Sequence, residues 1–391
     1  MKIDSVDFFY LSMPEVLDIG DGSQDALLVR IRAGAFEGWG ECEASPLTSI
    51  ASYVCPMSHS ACKPLKHALE GMNIDSVEDI YTITNSVREN SLDLLQASHT
   101  LSGIDIALWD ILGKQLSTPV YQLLGYKKAY PKLPYASQLF GATAEETFEK
   151  AKKTQAAGYK AVKFGWGPFG KGSLETDAAH LTAAREGMGE SAHLMIDAGT
   201  IWNDDLSKAQ ERLKALKQVR AYWLEEPFAN GELDLYRALS ESTPKIPMAG
   251  GEGCNNYVQA QNMIRYGGLG YIQIDAGRIG GITTAKRVAD LAQSNNVVYV
   301  NHTFTSHLAL SASLQPYAGL EKDNISEYPV ELKSLAQEIS QEVITPDSDG
   351  YIHVPEKPGL GITVNTEALK KYLVDVEIKV NNKLVYNTPA L

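Results

Sequence analysis

The feature that most constrains the fold of this chain is a regular alternation of short apolar runs with amphipathic stretches, which begins near residue 133. Apolar residues at three- and four-residue spacing, typical of helices, follow the runs. The eight runs span residues 133–138, 160–165, 193–198, 221–226, 246–251, 271–276, 297–302 and 324–329. Eight strand–helix units of about 30 residues each predict an α/β fold, a (β/α)8 TIM barrel. The alternative, a doubly wound sheet, normally has a glycine-rich phosphate turn near its start, which this sequence lacks.

The two ends of the chain have a different pattern. Residues 2–13, 25–34 and 37–43 read as antiparallel strands, residues 60–125 are mostly helical, and residues 377–387 return to a strand pattern. We therefore predict an α+β capping domain from residues 1–128, a barrel domain from residues 129–362, and a C-terminal segment, residues 363–391, that completes the cap.

The net charge and the cysteines indicate which partners and which compartment to expect. The 391-residue chain has a formal net charge of −13, and no basic stripe offsets it, so nucleic acids and anionic membranes are not expected partners. Its four cysteines have no CxxC spacing, which favours reduced thiols and a cytoplasmic protein. An acidic small molecule remains a possible substrate if a local cation binds it.

Charged or titratable residues end six consecutive runs, at the face of a parallel barrel where active sites form. In chain order they are Lys163, Asp197, Glu225, Glu252, Asp275 and His302. Each alone is compatible with a helix cap, a solvated side chain or a core hydrogen bond. Independent structural residues are not expected on every strand, however, so the series predicts one polar site.

Three of these residues, Asp197, Glu225 and Glu252, are carboxylates on adjacent predicted strands. Carboxylate oxygens without cysteine or histidine favour a hard divalent cation, with Mg²⁺ ahead of Mn²⁺. A cation would also keep three acids ionised in one small volume. Glu226 follows Glu225 directly and must face another way, which gives it a supporting role.

Asp275 and His302 end the next two predicted strands. A carboxylate beside an imidazole fixes its tautomer and makes it more basic, which suits a general base near neutral pH. The alternative is a purely structural hydrogen bond between them.

Several motifs in combination resemble the enolase superfamily, and within it the mandelate racemase subgroup. The resemblance covers nearly the whole chain. The motifs are "SGIDIALWDILGKQLSTPVYQLLGY" (102–126), "WLEEP" (223–227), "GGE" (250–252), "QIDAGRIGGIT" (273–283) and "KPGLGI" (357–362). This resemblance implies a capping domain, a modified barrel of the (β/α)7β type and one Mg²⁺ per subunit. It implies chemistry in which a base removes the proton α to a carboxylate.

The family's residue roles fall on positions already singled out. The metal ligands fall on Asp197, Glu225 and Glu252, and the His–Asp dyad falls on His302 and Asp275. The resemblance adds Glu327, which would hydrogen-bond the substrate carboxylate, and gives Lys163 the role of neutralising that carboxylate. The second lysine of the family's KxK motif, a base on the opposite substrate face, is replaced by Gly165.

One base favours elimination over racemisation, because a second base is needed to return the proton to the other face. The sequence therefore favours an acid-sugar dehydratase, a lyase that gives a 2-keto-3-deoxy acid. A cycloisomerase that opens an anhydro-sugar acid or lactone shares the first half of the mechanism and stays open. A racemase or epimerase with an unseen second base, and an inactive binding relative, are weaker alternatives.

Substrate contacts are predicted from position alone. The candidates are Tyr135, Ser137 and Gln138 at the end of the first barrel strand, Trp166, His307, and His59 in a cap loop, residues 45–59. Gly165 and Gly199 are expected to leave space for a bulky or cyclic substrate, with Trp166 as a wall. The resemblance also implies a homo-oligomer, from dimer to octamer.

Overall fold

The computed structural model describes residues 1–19 and 23–391, and within them the strands form two antiparallel sheets and one parallel sheet. The N-terminal sheet consists of β1 (Ser5–Leu11), β2 (Ala26–Ala33) and β3 (Phe36–Cys42), paired antiparallel in that order. Gly34 lies in the tight turn between β2 and β3 with a φ of 57°, a conformation that glycine adopts without steric cost. This sheet confirms the predicted strands of the cap.

Four helices and a 3₁₀ turn follow the N-terminal sheet in the chain. They are α1 (Pro46–Val54), α2 (Val77–Asn90), α3 (Ala97–Gln115) and α4 (Val120–Leu123), with a 3₁₀ turn at Leu65–Ala68. Helix α3 lies directly against β3 because two glycines of that strand have no side chain. A Cβ at Gly38 would come 2.3 Å from the carbonyl oxygen of Ala107, and one at Gly40 would come 2.1 Å from that of Gly103.

The parallel sheet contains eight strands, one for each predicted run, and confirms the TIM-barrel prediction. The strands are β4 (Leu133–Leu139), β5 (Ala161–Gly165), β6 (His193–Asp197), β7 (Leu224–Glu225), β8 (Met248–Gly250), β9 (Tyr271–Asp275), β10 (Val298–His302) and β11 (Ile325–Pro329). The first seven are each followed by a helix: α5 (Ala144–Ala156), α6 (Leu174–Met188), α7 (Leu206–Gln218), α8 (Leu233–Ser242), α9 (Tyr257–Tyr266), α10 (Gly281–Ser294) and α11 (His307–Leu314). Side chains of Thr143, Ser173, Asp205 and Asn256 cap α5, α6, α7 and α9 by accepting backbone N–H bonds.

The last barrel strand has no full-length helix after it. Helix α12 (Ser334–Glu338) has five residues, so the barrel is of the expected (β/α)7β type. Strands β10 and β11 are bridged by the Asn301 side chain, whose amide oxygen accepts from the Glu327 amide at 3.0 Å and whose nitrogen donates to the Glu327 carbonyl at 3.3 Å. Between these two strands, side-chain hydrogen bonds thus replace backbone–backbone hydrogen bonds.

The C-terminal segment returns to the N-terminal sheet. Helix α13 (Thr366–Leu369) and a 3₁₀ turn (Lys370–Tyr372) precede a hairpin of β12 (Glu377–Val380) and β13 (Lys383–Asn387). The Tyr386 hydroxyl donates to the Phe8 carbonyl at 2.7 Å, and Arg30 donates to the Ala390 carbonyl at 2.8 Å. These contacts tie the C-terminal segment to β1 and β2, while the exact domain boundaries stay predictions.

The interior of the barrel is packed rather than hollow. A buried apolar layer fills it, formed by Tyr135, Ala161, Met195, Trp223, Ala249, Val300 and Ile325. Polar side chains lie further along the same strands, toward their C-terminal ends. Within residues 1–19 and 23–391, no helix combines the length and the apolarity needed to cross a bilayer.

Candidate active site

The polar residues that end the barrel strands form one connected network of side-chain contacts. Its members are Lys163, Asp197, Glu225, Glu252, Asp275, His302 and Glu327. Strand register brings neighbours together: Asp197 pairs with Glu225 across β6 and β7, and Asp275 pairs with His302 across β9 and β10. Because all eight strands are parallel, their carboxyl ends meet on one face.

Lys163 lies at one side of this network and bridges three acids. Its Nζ is 2.5 Å from Glu225 Oε1, 2.9 Å from Glu327 Oε1 and 3.6 Å from Asp197 Oδ2. Burial alone would lower the pKa of Lys163, but the carboxylates of Glu225 and Glu327 outweigh it and hold the pKa well above its ordinary value. Lys163 is therefore a fixed positive charge at the barrel mouth.

His302 lies at the other side of the network, with both ring nitrogens directed at carboxylates. Its Nδ1 is 2.8 Å from Asp275 Oδ2, and its Nε2 is 3.2 Å from Glu252 Oε2 and 3.8 Å from Glu327 Oε2. Burial would raise the pKa of Asp275, but the hydrogen bond and charge of His302 keep it below its ordinary value. An ionised Asp275 accepts from Nδ1–H and leaves Nε2 facing Glu252 and Glu327.

The network carries an excess of buried acid. Asp197, Glu225, Glu226, Glu252 and Glu327 are all buried. Burial and the neighbouring Glu225 raise the pKa of Asp197 well above its ordinary value, and burial and Glu252 do the same to Glu226. A donor set of oxygens with this unbalanced negative charge fits a hard divalent cation such as Mg²⁺ or Mn²⁺.

The three predicted ligands do not meet at one point. Asp197 and Glu225 face Lys163, whereas Glu252 lies beyond the end of β8 and faces His302 and, at 3.5 Å, Arg278. Among the described side chains, the group of three potential ligands whose donor atoms all lie within 4.8 Å of one another is Glu43, Asp275 and His302. Holding one ion with the predicted ligands therefore requires the three carboxylates to come closer together than they do in this structure.

Two glycines beside Asp197 do not leave the space that we expected from the sequence. A Cβ on Gly165 would lie 2.7 Å from Asp197 Oδ2, because register places the two residues side by side. A Cβ on Gly199 would lie 3.0 Å from the Trp166 ring, and the Gly199 amide donates to Asp197 Oδ1 at 2.7 Å. The expectation of open space is wrong: the Asp197 carboxylate and the Trp166 indole fill it.

Two predicted substrate contacts border the network. Ser137 and Trp166 line a cleft together with Lys163, Asp197 and Phe304. The Ser137 hydroxyl is buried and has no hydrogen-bond partner among the described residues. Trp166 has a φ of 55°, a costly conformation for a large side chain and one that is often found at functional sites.

Tyr135 lies beneath the network rather than in the cleft. Its ring belongs to the apolar barrel layer, packs edge-on against Trp223 and has Lys163 Nζ 5.8 Å from its centroid. Tyr135 therefore packs beneath Lys163 and does not line the cleft.

Three other candidate residues are not brought to the network. The Gln138 side chain borders the cleft but donates to Thr154 Oγ1 on α5 at 3.0 Å. His307 accepts from the Ile344 amide at 3.3 Å, and burial lowers its pKa to about 4, so it is a neutral packing residue. His59 is half-exposed and 3.2 Å from Asp93 in the cap, and much of the predicted loop at 45–59 is helix α1.

Sequence reasoning missed two residues at the dyad, Glu43 and Arg278. Glu43 follows β3 of the cap, and its carboxylate forms an ion pair with Arg278, which follows β9. Burial raises the pKa of Glu43 well above its ordinary value, against the opposing charge of Arg278. No local pattern links them, because only the packing of cap on barrel brings them together.

Family profiles match both parts of the chain. Residues 146–368 match the profile described as enolase C-terminal domain-like, and residues 14–125 match the N-terminal domain of mandelate racemase / muconate lactonizing enzyme.

Individual proteins also match over most of their length. The 3,6-anhydro-α-L-galactonate cycloisomerase of Streptomyces coelicolor is 30% identical, over 71% of this chain and 73% of its own. The arabinonate dehydratase of Saccharolobus solfataricus is 29% identical, over 70% and 71%. A crystal structure of a predicted mandelate racemase from Rhodobacter sphaeroides superposes with a TM-score of 0.96 at 54% identity and 99% coverage of both chains.

Proposed function

Because this chain belongs to the mandelate racemase / muconate lactonizing enzyme family of the enolase superfamily, we propose that it is a sugar-acid lyase. In this proposal it removes the proton α to the carboxylate of an aldonate or aldarate and expels the β-hydroxyl as water. The observation that carries the proposal is the pairing of a buried Lys163 with the His302–Asp275 dyad across one acidic network. The relatives named as sugar-acid dehydratases and cycloisomerases support the substrate class.

Lys163 and Glu327 would hold the substrate carboxylate. Lys163 supplies a permanent positive charge, and Glu327 Oε1 lies 2.9 Å from its Nζ. As C2 loses its proton, negative charge moves onto the carboxylate oxygens, where a preorganised cation stabilises it most. Asp197, Glu225 and Glu252 would hold a Mg²⁺ ion, which supplies further Lewis-acid stabilisation of that charge.

His302 would act as the base. Its Nε2 takes the C2 proton, and the electron pair of the C2–H bond forms an enediolate with the carboxylate. The enediolate then collapses: the carboxylate re-forms, a C2–C3 double bond forms and the C3–O bond breaks. The protonated His302 returns its proton to the C3 hydroxyl, which leaves as water. The resulting enol then takes a proton at C3 to give the 2-keto-3-deoxy acid. Asp275 holds His302 in the required tautomer throughout.

A second candidate is a cycloisomerase, favoured by the Streptomyces coelicolor relative, which is named as one. There the leaving oxygen belongs to a ring, stays attached to the product, and no water is lost. Racemisation is disfavoured because Gly165 holds the position of the second base, and Asp197 leaves no room for a side chain there.

A panel of aldonates, aldarates, anhydro-sugar acids and lactones tests the proposal. We expect one or a few to give a 2-keto product in the presence of Mg²⁺, with a mass lower than that of the substrate by one water. An isomeric product would instead identify the cycloisomerase. His302→Asn should lower kcat by about 10² to 10⁴-fold, as is usual when a general base is lost. Normal turnover by this variant would contradict the assignment.

We also propose a cytoplasmic enzyme, since all four cysteines, Cys42, Cys55, Cys62 and Cys254, are free thiols. Its assembly as a homo-oligomer, from dimer to octamer, stays a prediction from the family, which light scattering of the purified protein would test.

A further inference from the structure

Glu43 connects the cap to the base end of the proposed site. It is the first residue after β3, and its amide donates to the Gly277 carbonyl, in the loop after β9, at 3.1 Å. Its carboxylate forms an ion pair with Arg278 of the same loop. A cap residue is therefore held by backbone and side-chain contacts next to Asp275.

The approach of Glu43 to the dyad is close. One oxygen of Glu43, one oxygen of Asp275 and one ring nitrogen of His302 all lie within 4.8 Å of one another. Gly277 makes room for this contact, because a Cβ there would come 3.0 Å from the Glu43 amide nitrogen and 3.0 Å from Asp275 Oδ1. The side chain of Glu43 is 8% exposed, so it is shielded from water where it meets Asp275.

Asp275 has a partner on each side. Its Oδ2 accepts from His302 Nδ1 at 2.8 Å, and its Oδ1 accepts from the Gly277 amide at 2.6 Å. One Glu43 oxygen also lies within 4.8 Å of an Asp275 oxygen, which places a third side chain beside the dyad. A carboxylate held at both oxygens keeps a fixed plane, and the imidazole bonded to it keeps a fixed direction.

We propose that Glu43 is a positioning residue that orients His302 through Asp275, so that the base is aligned only when the cap is seated on the barrel. This inference rests on the proposed function for its kinetic consequence, but its structural consequence can be measured without a substrate. Glutamine has the length of glutamate and can still accept a hydrogen bond from Arg278, so it keeps the contacts at position 43 while removing the charge.

The kinetic test compares Glu43→Ala, Glu43→Gln and, as a control, Glu89→Ala, which removes an exposed glutamate of the cap helix α2. We expect Glu43→Ala to lower kcat by about 10- to 100-fold with KM changed by less than about threefold, as is typical for groups that orient a functional side chain. Glu43→Gln should restore most of kcat, and Glu89→Ala should match the wild type. If Glu43→Ala does not fold, Glu43→Asp replaces it, with the same loss expected from its shorter reach.

The second test needs no substrate. Proton NMR of the intact protein should show a low-field resonance from His302 Nδ1–H, assigned by its loss in His302→Asn. We expect this resonance to broaden or shift in Glu43→Ala and to persist in Glu43→Gln. An unchanged resonance and kcat in Glu43→Ala would overturn the inference. So would equal losses in Glu43→Ala and Glu43→Gln with reduced bound Mg²⁺, which would make Glu43 a metal ligand. If no acid in the panel is turned over, the proposed function fails, but the NMR test can still be carried out. Failure of the proposed function can therefore be distinguished from failure of this inference.

Discussion

A single methyl group at position 165 should disable the site through Asp197. The Cβ of Gly165→Ala would lie 2.7 Å from Asp197 Oδ2 and 2.9 Å from Asp197 Cβ, distances that real Cβ contacts do not adopt. Asp197 cannot retreat easily, because its other oxygen accepts from the Gly199 amide at 2.7 Å. The carboxylate or strand β6 must therefore move.

The magnitude follows from the size of that shift. Overpacking of a buried site costs about 1–3 kcal/mol of stability, so the variant should fold with a modestly lower Tm. A displacement approaching ~1 Å in a group that holds a catalytic ion or substrate can cost about 10²-fold in rate. We therefore expect Gly165→Ala to lose about two orders of magnitude in kcat and to bind Mg²⁺ more weakly.

Steady-state kinetics across a Mg²⁺ titration, with Tm measured in parallel, would test this expectation. Gly231→Ala is the matched control, because a Cβ at Gly231 meets no atom within 4 Å. Gly165→Lys should be inactive as a racemase for the same reason, although it restores the sequence pattern of a two-base site. Wild-type kcat and Mg²⁺ affinity in Gly165→Ala would refute the reasoning.

Two further predictions concern buried ionisable groups away from the site. Lys132 donates to the carbonyls of Tyr317, Leu320 and Asp323. Lys132→Met should therefore lower the free energy of unfolding, measured by urea denaturation, by about 3 kcal/mol or more. Exposed Lys127→Met should cost almost nothing. Burial raises the pKa of Asp105 to about 7, so ionisation destabilises the fold as pH rises. The stability of Asp105→Asn relative to wild type should therefore rise between about pH 4 and pH 7, from the ordinary pKa of an aspartate to its raised pKa in the fold; a constant difference would contradict this.

The barrel was predictable because its signal is local. Each strand is a short apolar run, and each helix has its own periodicity, so residues such as Asp197 and His302 could be assigned to strand ends without any tertiary information. The strand period also separates two of the predicted substrate contacts. Ser137 and Gln138 are adjacent, so only one of them can face the barrel interior, and Gln138 is the one that faces α5.

The features that the sequence did not predict arise from packing between distant segments. Glu43 reaches Asp275 only because the cap docks on the barrel, and the sequence separation between them carries no pattern. From the sequence, Gly165 was expected to leave open space, but the Asp197 carboxylate of the neighbouring strand fills that space. Glu252 turns toward His302 because it lies past the end of β8, in a loop whose path the sequence does not specify.

The central claim, that His302 is the base for a one-face elimination, is tested most directly by turnover in D₂O with both C2 epimers of the identified substrate. One epimer should be consumed, giving a product that has lost one water and carries solvent deuterium at C3. The recovered opposite epimer should contain no deuterium at C2. Interconversion of the two epimers, with deuterium entering C2 at a rate comparable to product formation, would contradict the account by revealing a second base.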